Sequence, residues 1–501
     1  MSALSPESVR GARRGIEKES LRVRPDGTLA VTPHAAALGS ALTHPHITTD
    51  FSESQLELIT GVQPDADACL AELRLIHQFV YRAIGEELLW VASMPCGLPG
   101  DDAIPIGRYG SSNVGTAKTV YRTGLAHRYG RRMQVISGIH YNFSLPGVSD
   151  DGYFALIRNF RRHGWLLFYL FGASPAACPS FVEGRPHGLS RLSEGSLYLP
   201  HATSLRMGRL GYQSDAQSSL AVSYNSLESY GRSLEDALTR PYPPYEKIGI
   251  RGPEGYRQLS TSLIQIENEF YGKIRPKRRI RTGERPLHAL RERGVEYVEV
   301  RLMDLDPFEP LGINAQTMRF LDVFLLHCLK TPSPPDTPEE LAAISRNQEK
   351  VAAHGREAGL NLTLESKSRG MKDWSREILE ECKAIASALD AAEKKDLHGK
   401  AVASALAALD DPALTPSARV LEAMKRDHGN SYTAFVLAQS RKHRDALMAL
   451  PFPAEAEARF RRMAEESLAV QRRIEASDKV DFETYRQRYL SPEMLLPSPE
   501  R

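Results

Sequence analysis

The chain has 501 residues, 42% hydrophobic and 25% charged, which is ordinary for a globular protein and argues against a disordered or fibrous one. Lys and Arg number 64 against 62 Asp and Glu; a net charge of +2 argues against general binding to nucleic acid or membrane surfaces, but leaves room for a local phosphate pocket. The length allows roughly two to four domains, or one large one with an appendage, and core enough to fold without disulfides or structural metal.

The N-terminus, MSALSPESVRGARRG, has no apolar core and does not read as a signal peptide, so a soluble cytoplasmic protein is expected. Residues 15–23 (GIEKESLRV) read as a strand with Glu17 and Glu19 on one face, although Leu21 and Val23 share that face. Residues 48–60 carry Asp50 and Glu57; 55–59 reads as a strand with Glu57 opposite Leu56 and Leu58. Residues 110–119 (GSSNVGTAKT) resemble a phosphate-binding loop, but two residues separate Gly115 from Lys118 and no clear apolar strand precedes them. The segment remains a candidate active-site loop. No GxGxxG, GxSxG or HExxH motif occurs.

Residues 140–145 alternate strictly, with His140, Asn142 and Ser144 on one face and Tyr141, Phe143 and Leu145 on the other. The most apolar run, 165–178, is too short to span a bilayer and reads as buried. Residues 265–271 (QIENEFY) are predicted as a strand that aligns Gln265, Glu267, Glu269 and Tyr271. Directly after it, 275–281 holds five basic residues in seven and is expected to be a loop near nucleotide phosphates, making Glu269, Arg275 and Lys277 candidates on the nucleotide side. Residues 297–301 align Tyr297, Glu299 and Arg301.

Four prolines in residues 331–338 mark a linker. Beyond it, 338–358, 374–392 and 454–476 read as amphipathic helices. The expected organisation is therefore an α/β body over residues 10–330 and a helical region over 339–490 packed on it, with the last ten residues frayed. The five cysteines are scattered, none as CxxC, which suits a reducing compartment and structural or incidental thiols.

Each polar strand face alone is explained by solvent. Together they carry glutamates with few lysines, plus a histidine and an arginine. If they converge, like charges that close cannot all remain ionised without a cation. Hard oxygen ligands point to Mg²⁺ or Mn²⁺, and Mg²⁺ typically arrives with phosphate.

The motifs GIEKESLRV (15–23), ALGSALTHPHITTDFSESQLELIT (37–60), SMPC (93–96), YGSSNVGTAKTVYRTGL (109–125), ISGIHYNFSLP (136–146), LFGASPA (170–176), QIENEFYGKIRPKR (265–278) and VEYVEVRLMDLDPF (295–308) resemble bacterial-type glutamate–cysteine ligases, in that family's order. The helical C-terminal part matches more loosely. The resemblance implies an α+β, glutamine-synthetase-like fold: a curved antiparallel sheet around an active-site funnel. It implies that ATP phosphorylates the γ-carboxylate of L-glutamate and that the L-cysteine amine then displaces phosphate, the first step of glutathione synthesis. It further implies a Mg²⁺ held by Glu17, Asp50 and Glu57, a second helped by Glu19, and a third held by Glu17, His140 and Glu299. Imidazole is an unusual Mg²⁺ ligand, so Mn²⁺ could substitute. Arg301, beside Glu299, would stabilise the transferring phosphoryl group. Phe51, Tyr121, Ile136, Arg206, Tyr212 and Tyr271 would form the cysteine pocket. Feedback inhibition by glutathione is expected from the family, and a monomer is the default.

Cys96, within SMPC, invites a nucleophile reading, but ATP activation of the acid needs no acyl–enzyme. Two other readings stay open: a sibling carboxylate–amine ligase using another amine, and a non-catalytic metabolite sensor on the same fold. The aromatic residues favour a small side chain over ammonia, and a sensor predicts broken metal ligands. A nucleic-acid binder would rest on residues 275–281 alone.

Overall fold

The computed structural model describes residues 6–211, 216, 220, 222–281, 283–364 and 367–497. Its centre is an antiparallel sheet built from β1 (Arg13–Val23), β2 (Ile47–Thr49), β3 (Gln55–Ile59), β4 (Leu88–Leu89), β5 (Ile139–Ser144), β6 (Ile274–Lys277) and β7 (Tyr297–Met303). The strand order is β6-β7-β5-β1-β3-β2, with β4 paired to the end of β1. Because side chains alternate along a strand, register decides which residues share a face. Glu17 pairs with His140, Glu19 with Glu57, and Glu299 with Asn142 on one side and Arg275 on the other.

The opposite face is apolar. Ile16, Leu56, Leu58, Tyr141, Phe143, Val298 and Val300 are buried in one continuous core with helices α1 (Ala66–Ala83), α2 (Asp150–His163) and α3 (Ala315–Lys330). These helices start where caps allow: the side chains of Asp65, Ser149 and Asn314 each accept a first-turn amide. A buried ion pair, Arg14 to Asp322 at 2.8 Å, ties β1 to α3, and the Tyr141 hydroxyl donates to the same carboxylate at 2.6 Å.

Leu21 and Val23 share the glutamate parity, yet both are buried. They enter a second core with Phe51, Trp90, Ile136 and Phe435. The odd-numbered face of β1 is therefore polar at one end and core at the other.

Past Lys330 the chain is largely helical. Helices Pro338–His354, Met371–Glu393 and Ala454–Ser477 fall where periodicity placed them, but Asn361–Leu364 and Lys367–Gly370 form a hairpin between the first two. Of the last ten residues, expected to be frayed, 498–501 lie outside the described residues, and 492–495 are ordered. Pro492–Leu495 is a 3₁₀ turn, Leu495 is buried, and Arg291 donates to its carbonyl at 2.9 Å.

Two expectations fail locally. Residues 265–271 are not a strand: Glu267–Glu269 is a 3₁₀ turn, because both glutamates are bound by distant arginines. The basic run 275–281 is not wholly a loop, since Arg275–Lys277 belongs to β6. Cys96 and Cys178 form a disulfide, with Cα atoms 5.2 Å apart; 82 residues of separation hid this from spacing. No helix of the described residues is long and apolar enough to cross a membrane.

Two predictions follow from packing. At Gly39 φ is +81°, and a Cβ would meet Ala464 Cα at 2.7 Å and Ser467 Oγ at 2.4 Å. Gly39→Val should cost about 2–4 kcal/mol, from overpacking plus left-handed strain; equilibrium denaturation measures it. Lys18 is buried on the apolar face with its Nζ 2.7 Å from His77 Nε2, and burial lowers its pKa to about 7. Above that value the folded chain holds fewer protons at Lys18 than the unfolded chain, so stability rises with pH. Between pH 7 and 9 the unfolding free energy should climb, and Lys18→Met should reduce that slope. An unchanged slope would refute the assignment.

Candidate active site

The polar sheet face floors a cavity of about 790 Å³, within the range of small-molecule sites. Glu17, Glu19, Asp50, Glu57, His140, Glu299, Arg301, Arg275, Lys277, Phe51, Tyr121, Arg206 and Tyr271 all line it. Glu17, Glu19, Glu57, His140, Glu299 and Arg301 converge from four strands as their alternation predicted, and the others reach the cavity from loops, a helix and β6.

His140 sits among three carboxylates. Its Nδ1 is 3.2 Å from Glu17 Oε2 and 3.8 Å from Glu299 Oε1, and its Nε2 is 3.5 Å from Glu19 Oε1. Asn142 donates to Glu17 Oε1 at 2.9 Å, and the Gly138 amide to Glu19 Oε2 at 2.7 Å. Ligand atoms of Glu17, His140 and Glu299 lie within 4.8 Å of one another, close enough to share one ion. Lys277 Nζ and Arg301 Nη1 approach the two oxygens of Glu299 at 3.4 and 3.1 Å.

The electrostatics divide this cluster. Burial pushes Glu299 upward, but Lys277, Arg301 and His140 together hold it well below the usual carboxylate range. Burial also opposes ionisation of Glu17, yet the hydrogen bond and charge of His140 leave it below its ordinary value. Glu19 goes the other way, to about 7, through burial and the proximity of Asp50. Glu57 is pushed well up by burial and by repulsion from Glu17, Asp50 and Glu19, against the opposing charge of Arg122. Lys118 also feels the Glu57 charge, so cations stand at this end too, but they do not outweigh burial and repulsion as they do at Glu299. Buried carboxylates in mutual repulsion are a donor set suited to a hard divalent cation.

Beside the carboxylates lies an aromatic wall. Phe51 is buried, Tyr121 projects from the helix Asn113–Tyr129, and the Tyr271 hydroxyl accepts from Gln134 Nε2 at 2.9 Å. Arg206 donates to the Arg301 carbonyl at 3.0 Å. A Cβ on Gly138 would lie 2.0 Å from its guanidinium, so the bare backbone makes room for this arginine.

Two sequence assignments do not join the cavity, and a third cannot be placed. Glu269 is fully buried and absent from the lining; its carboxylate accepts from Arg128 at 2.9 Å, Tyr129 at 2.7 Å and the Gln265 amide at 2.7 Å. It fastens the 265–271 turn instead of facing nucleotide. Ile136 is also absent from the lining, because its side chain packs into the second core while its carbonyl accepts from Gln55 at 3.0 Å. Tyr212 lies outside the described residues.

Other lining residues escaped sequence reasoning. Lys118 comes from residues 110–119, kept as a candidate active-site loop but in fact a helix start capped by Ser112, and Arg122 follows one turn later in the same helix. Val470, Ile474, Tyr485 and Tyr489 come from the C-terminal helices Ala454–Ser477 and Phe482–Leu490. Tyr485 and Tyr489 stack at 5.8 Å, a four-residue aromatic spacing that offered the one signal. Cys96, by contrast, is held in the disulfide away from the lining.

The glutamate–cysteine ligase family profile matches residues 2–351. A Pseudomonas entomophila protein named glutamate–cysteine ligase is 49% identical over 489 residues, spanning 94% of this chain and 92% of that one. Another so named, from Alcanivorax borkumensis, is 47% identical over 97% of each chain. Among solved structures, glutamate–cysteine ligase of Francisella tularensis in complex with AMP superposes with a TM-score of 0.91 at 37% identity, covering 96% of this chain and 97% of that one. A bifunctional glutathione synthetase from Pasteurella multocida matches with a TM-score of 0.71 at 26% identity, over 92% of this chain and 57% of that one. With relatives this similar along nearly its whole length and a carboxylate-lined cavity on the matching motifs, this chain belongs to the glutamate–cysteine ligase family.

Proposed function

We propose that this chain is the ATP-dependent ligase that joins the γ-carboxylate of L-glutamate to the amino group of L-cysteine, the first step of glutathione synthesis. The γ-phosphoryl group passes from ATP to the glutamate carboxylate, releasing ADP. The cysteine amine then attacks the acyl carbon and phosphate leaves, giving γ-glutamylcysteine. The observation that carries the reading is the carboxylate set of buried Glu19 and Glu299 with half-buried Glu17, Asp50 and Glu57, sharing one cavity with Arg275, Lys277 and Arg301.

The donor set fits Mg²⁺: Glu17, Asp50 and Glu57 would hold one ion, Glu19 would help hold another, and Glu17, His140 and Glu299 a third. Bound there, Mg²⁺ would neutralise phosphate oxygens during transfer. Arg301, braced by Glu299 at 3.1 Å, presents a fixed positive charge for the oxygens of the transferring group. Arg275 is anchored by the carbonyls of Asn268 and Phe270, which keeps its guanidinium on the same side. Phe51, Tyr121 and Tyr271 form an apolar wall suited to the small side chain of cysteine and shield the acyl phosphate from water. A sensor that had lost catalysis would not keep every one of these acidic side chains in one cavity.

Phosphate release from ATP should require Mg²⁺, glutamate and cysteine together; equal turnover with ammonia replacing cysteine would overturn the amine assignment. Even the outer-shell partners of metal ligands are worth roughly 10–100-fold in activity, so Glu57→Gln should lower turnover by at least ~10-fold. Because it relieves repulsion with Glu17, Asp50 and Glu19, it should also raise the unfolding temperature of the metal-free protein. A variant with near-normal turnover would refute the ligand set.

A further inference from the structure

A second cluster of metal-ligating side chains lies among the helices, and none of its members lines the catalytic cavity. His163 ends the helix Asp150–His163, and His327 and Cys328 are neighbours in Ala315–Lys330. One ligand atom from each lies within 4.8 Å of the others. The two imidazole centroids are 5.8 Å apart, and the edge of His163 abuts Trp374 from the helix Met371–Glu393.

The hydrogen bonding is incomplete in a specific way. His327 Nε2 lies 2.7 Å from Glu381 Oε2, which fixes the tautomer and leaves the lone pair on Nδ1. That Nδ1 is buried without a hydrogen-bond partner, and so is Nδ1 of His163. His327 is 3% exposed. A carboxylate on one imidazole nitrogen, with the other nitrogen free in a buried pocket, is the arrangement that orients histidine toward a metal. Burial lowers the pKa of His163 to about 3, so its lone pair is available at neutral pH.

We propose that His163, His327 and Cys328 form a structural Zn²⁺ site distinct from the catalytic cavity. Two imidazoles and one thiolate are a borderline-soft donor set that suits Zn²⁺ and not Mg²⁺. The half-buried position of His163 gives a fourth ligand, water, a route in. Cys328 is fully buried and its thiol pKa is raised well above the ordinary value, so binding releases one proton as the thiolate forms. The ion would join two helices behind the sheet, with Glu381 of a third helix on the far nitrogen of His327.

The test uses the full chain, stripped of metal and then saturated with Mg²⁺ so that the carboxylate cavity is filled. Addition of Co²⁺ as a spectroscopic stand-in should give one equivalent of a near-ultraviolet thiolate-to-cobalt charge-transfer band, displaced by Zn²⁺. The catalytic cavity has no cysteine in its lining and cannot produce this band. Cys328→Ser should abolish the band, His163→Ala should weaken Zn²⁺ binding at least tenfold, and Cys69→Ala should change neither. Absence of the band in the unmodified chain, or its persistence in Cys328→Ser, would overturn the proposal. Should Cys328→Ser fail to fold, His163→Ala decides: unchanged Zn²⁺ affinity there would also overturn it.

Discussion

Buried like charge on one sheet face is the constraint from which the rest of this structure follows. Register leaves Glu17, Glu19, Glu57 and Glu299 on the same face, and Asp50 joins them from the turn after β2. At an effective dielectric near 20, two carboxylates about 4 Å apart repel by ~4 kcal/mol. Lys277, Arg301 and His140 compensate at the Glu299 end. At the Glu57 end Arg122 and Lys118 do not outweigh burial and repulsion, and the carboxyl is pushed well above its ordinary range. That imbalance gives the cavity a polarity: basic side chains hold down the carboxylate at one end, and at the other the carboxylates repel one another, a donor set suited to a divalent cation.

Such a face is tolerated because the other side of the sheet is conventional. Ile16, Leu56, Leu58, Tyr141, Val298 and Val300 bury into helices, at roughly 1.5–3 kcal/mol for each large side chain. The strand that carries Glu17 and Glu19 is held from both ends. Arg14 pairs with Asp322 behind it, and Leu21 and Val23 sink into the second core beyond the cavity. The site residues are thus placed by a strand that cannot shift register without exposing core, and destabilisation at the face is offset elsewhere.

What the sequence made legible follows from the range of the interactions. Period-two alternation is local, so residues 15–23, 140–145 and 297–301 could be read directly, and the family motifs ordered them. The turn at 265–271 has the same alternation but a different fate. Glu267 is claimed by Arg285 at 2.7 Å and Glu269 by Arg128 at 2.9 Å, contacts across 18 and 141 residues that no local pattern encodes. The same holds for the wall supplied by Tyr485 and Tyr489, whose helix looks like any amphipathic segment until its neighbours are known. The Cys96–Cys178 bond was hidden for the same reason.

The two kinds of buried glutamate can be told apart on physical grounds. Glu267 and Glu269 each have an arginine within 3 Å and backbone amides on the remaining oxygen, so their charge is fully matched by the protein. They build the turn that carries Tyr271 toward the cavity and delivers Arg275 to β6. Glu17, Glu19 and Glu57 have no arginine at hydrogen-bond distance among the described contacts; their nearest partners are a histidine, an asparagine, a glycine amide and one another. A carboxylate buried with a dedicated cation is scaffolding, because any added ion would have to displace that partner. A carboxylate buried among carboxylates is left to be completed by something that arrives from solution. Glu299 stands between the classes: it shares Lys277 and Arg301, yet also faces His140 and Glu17, so its charge links the basic end of the cavity to the carboxylate-rich end.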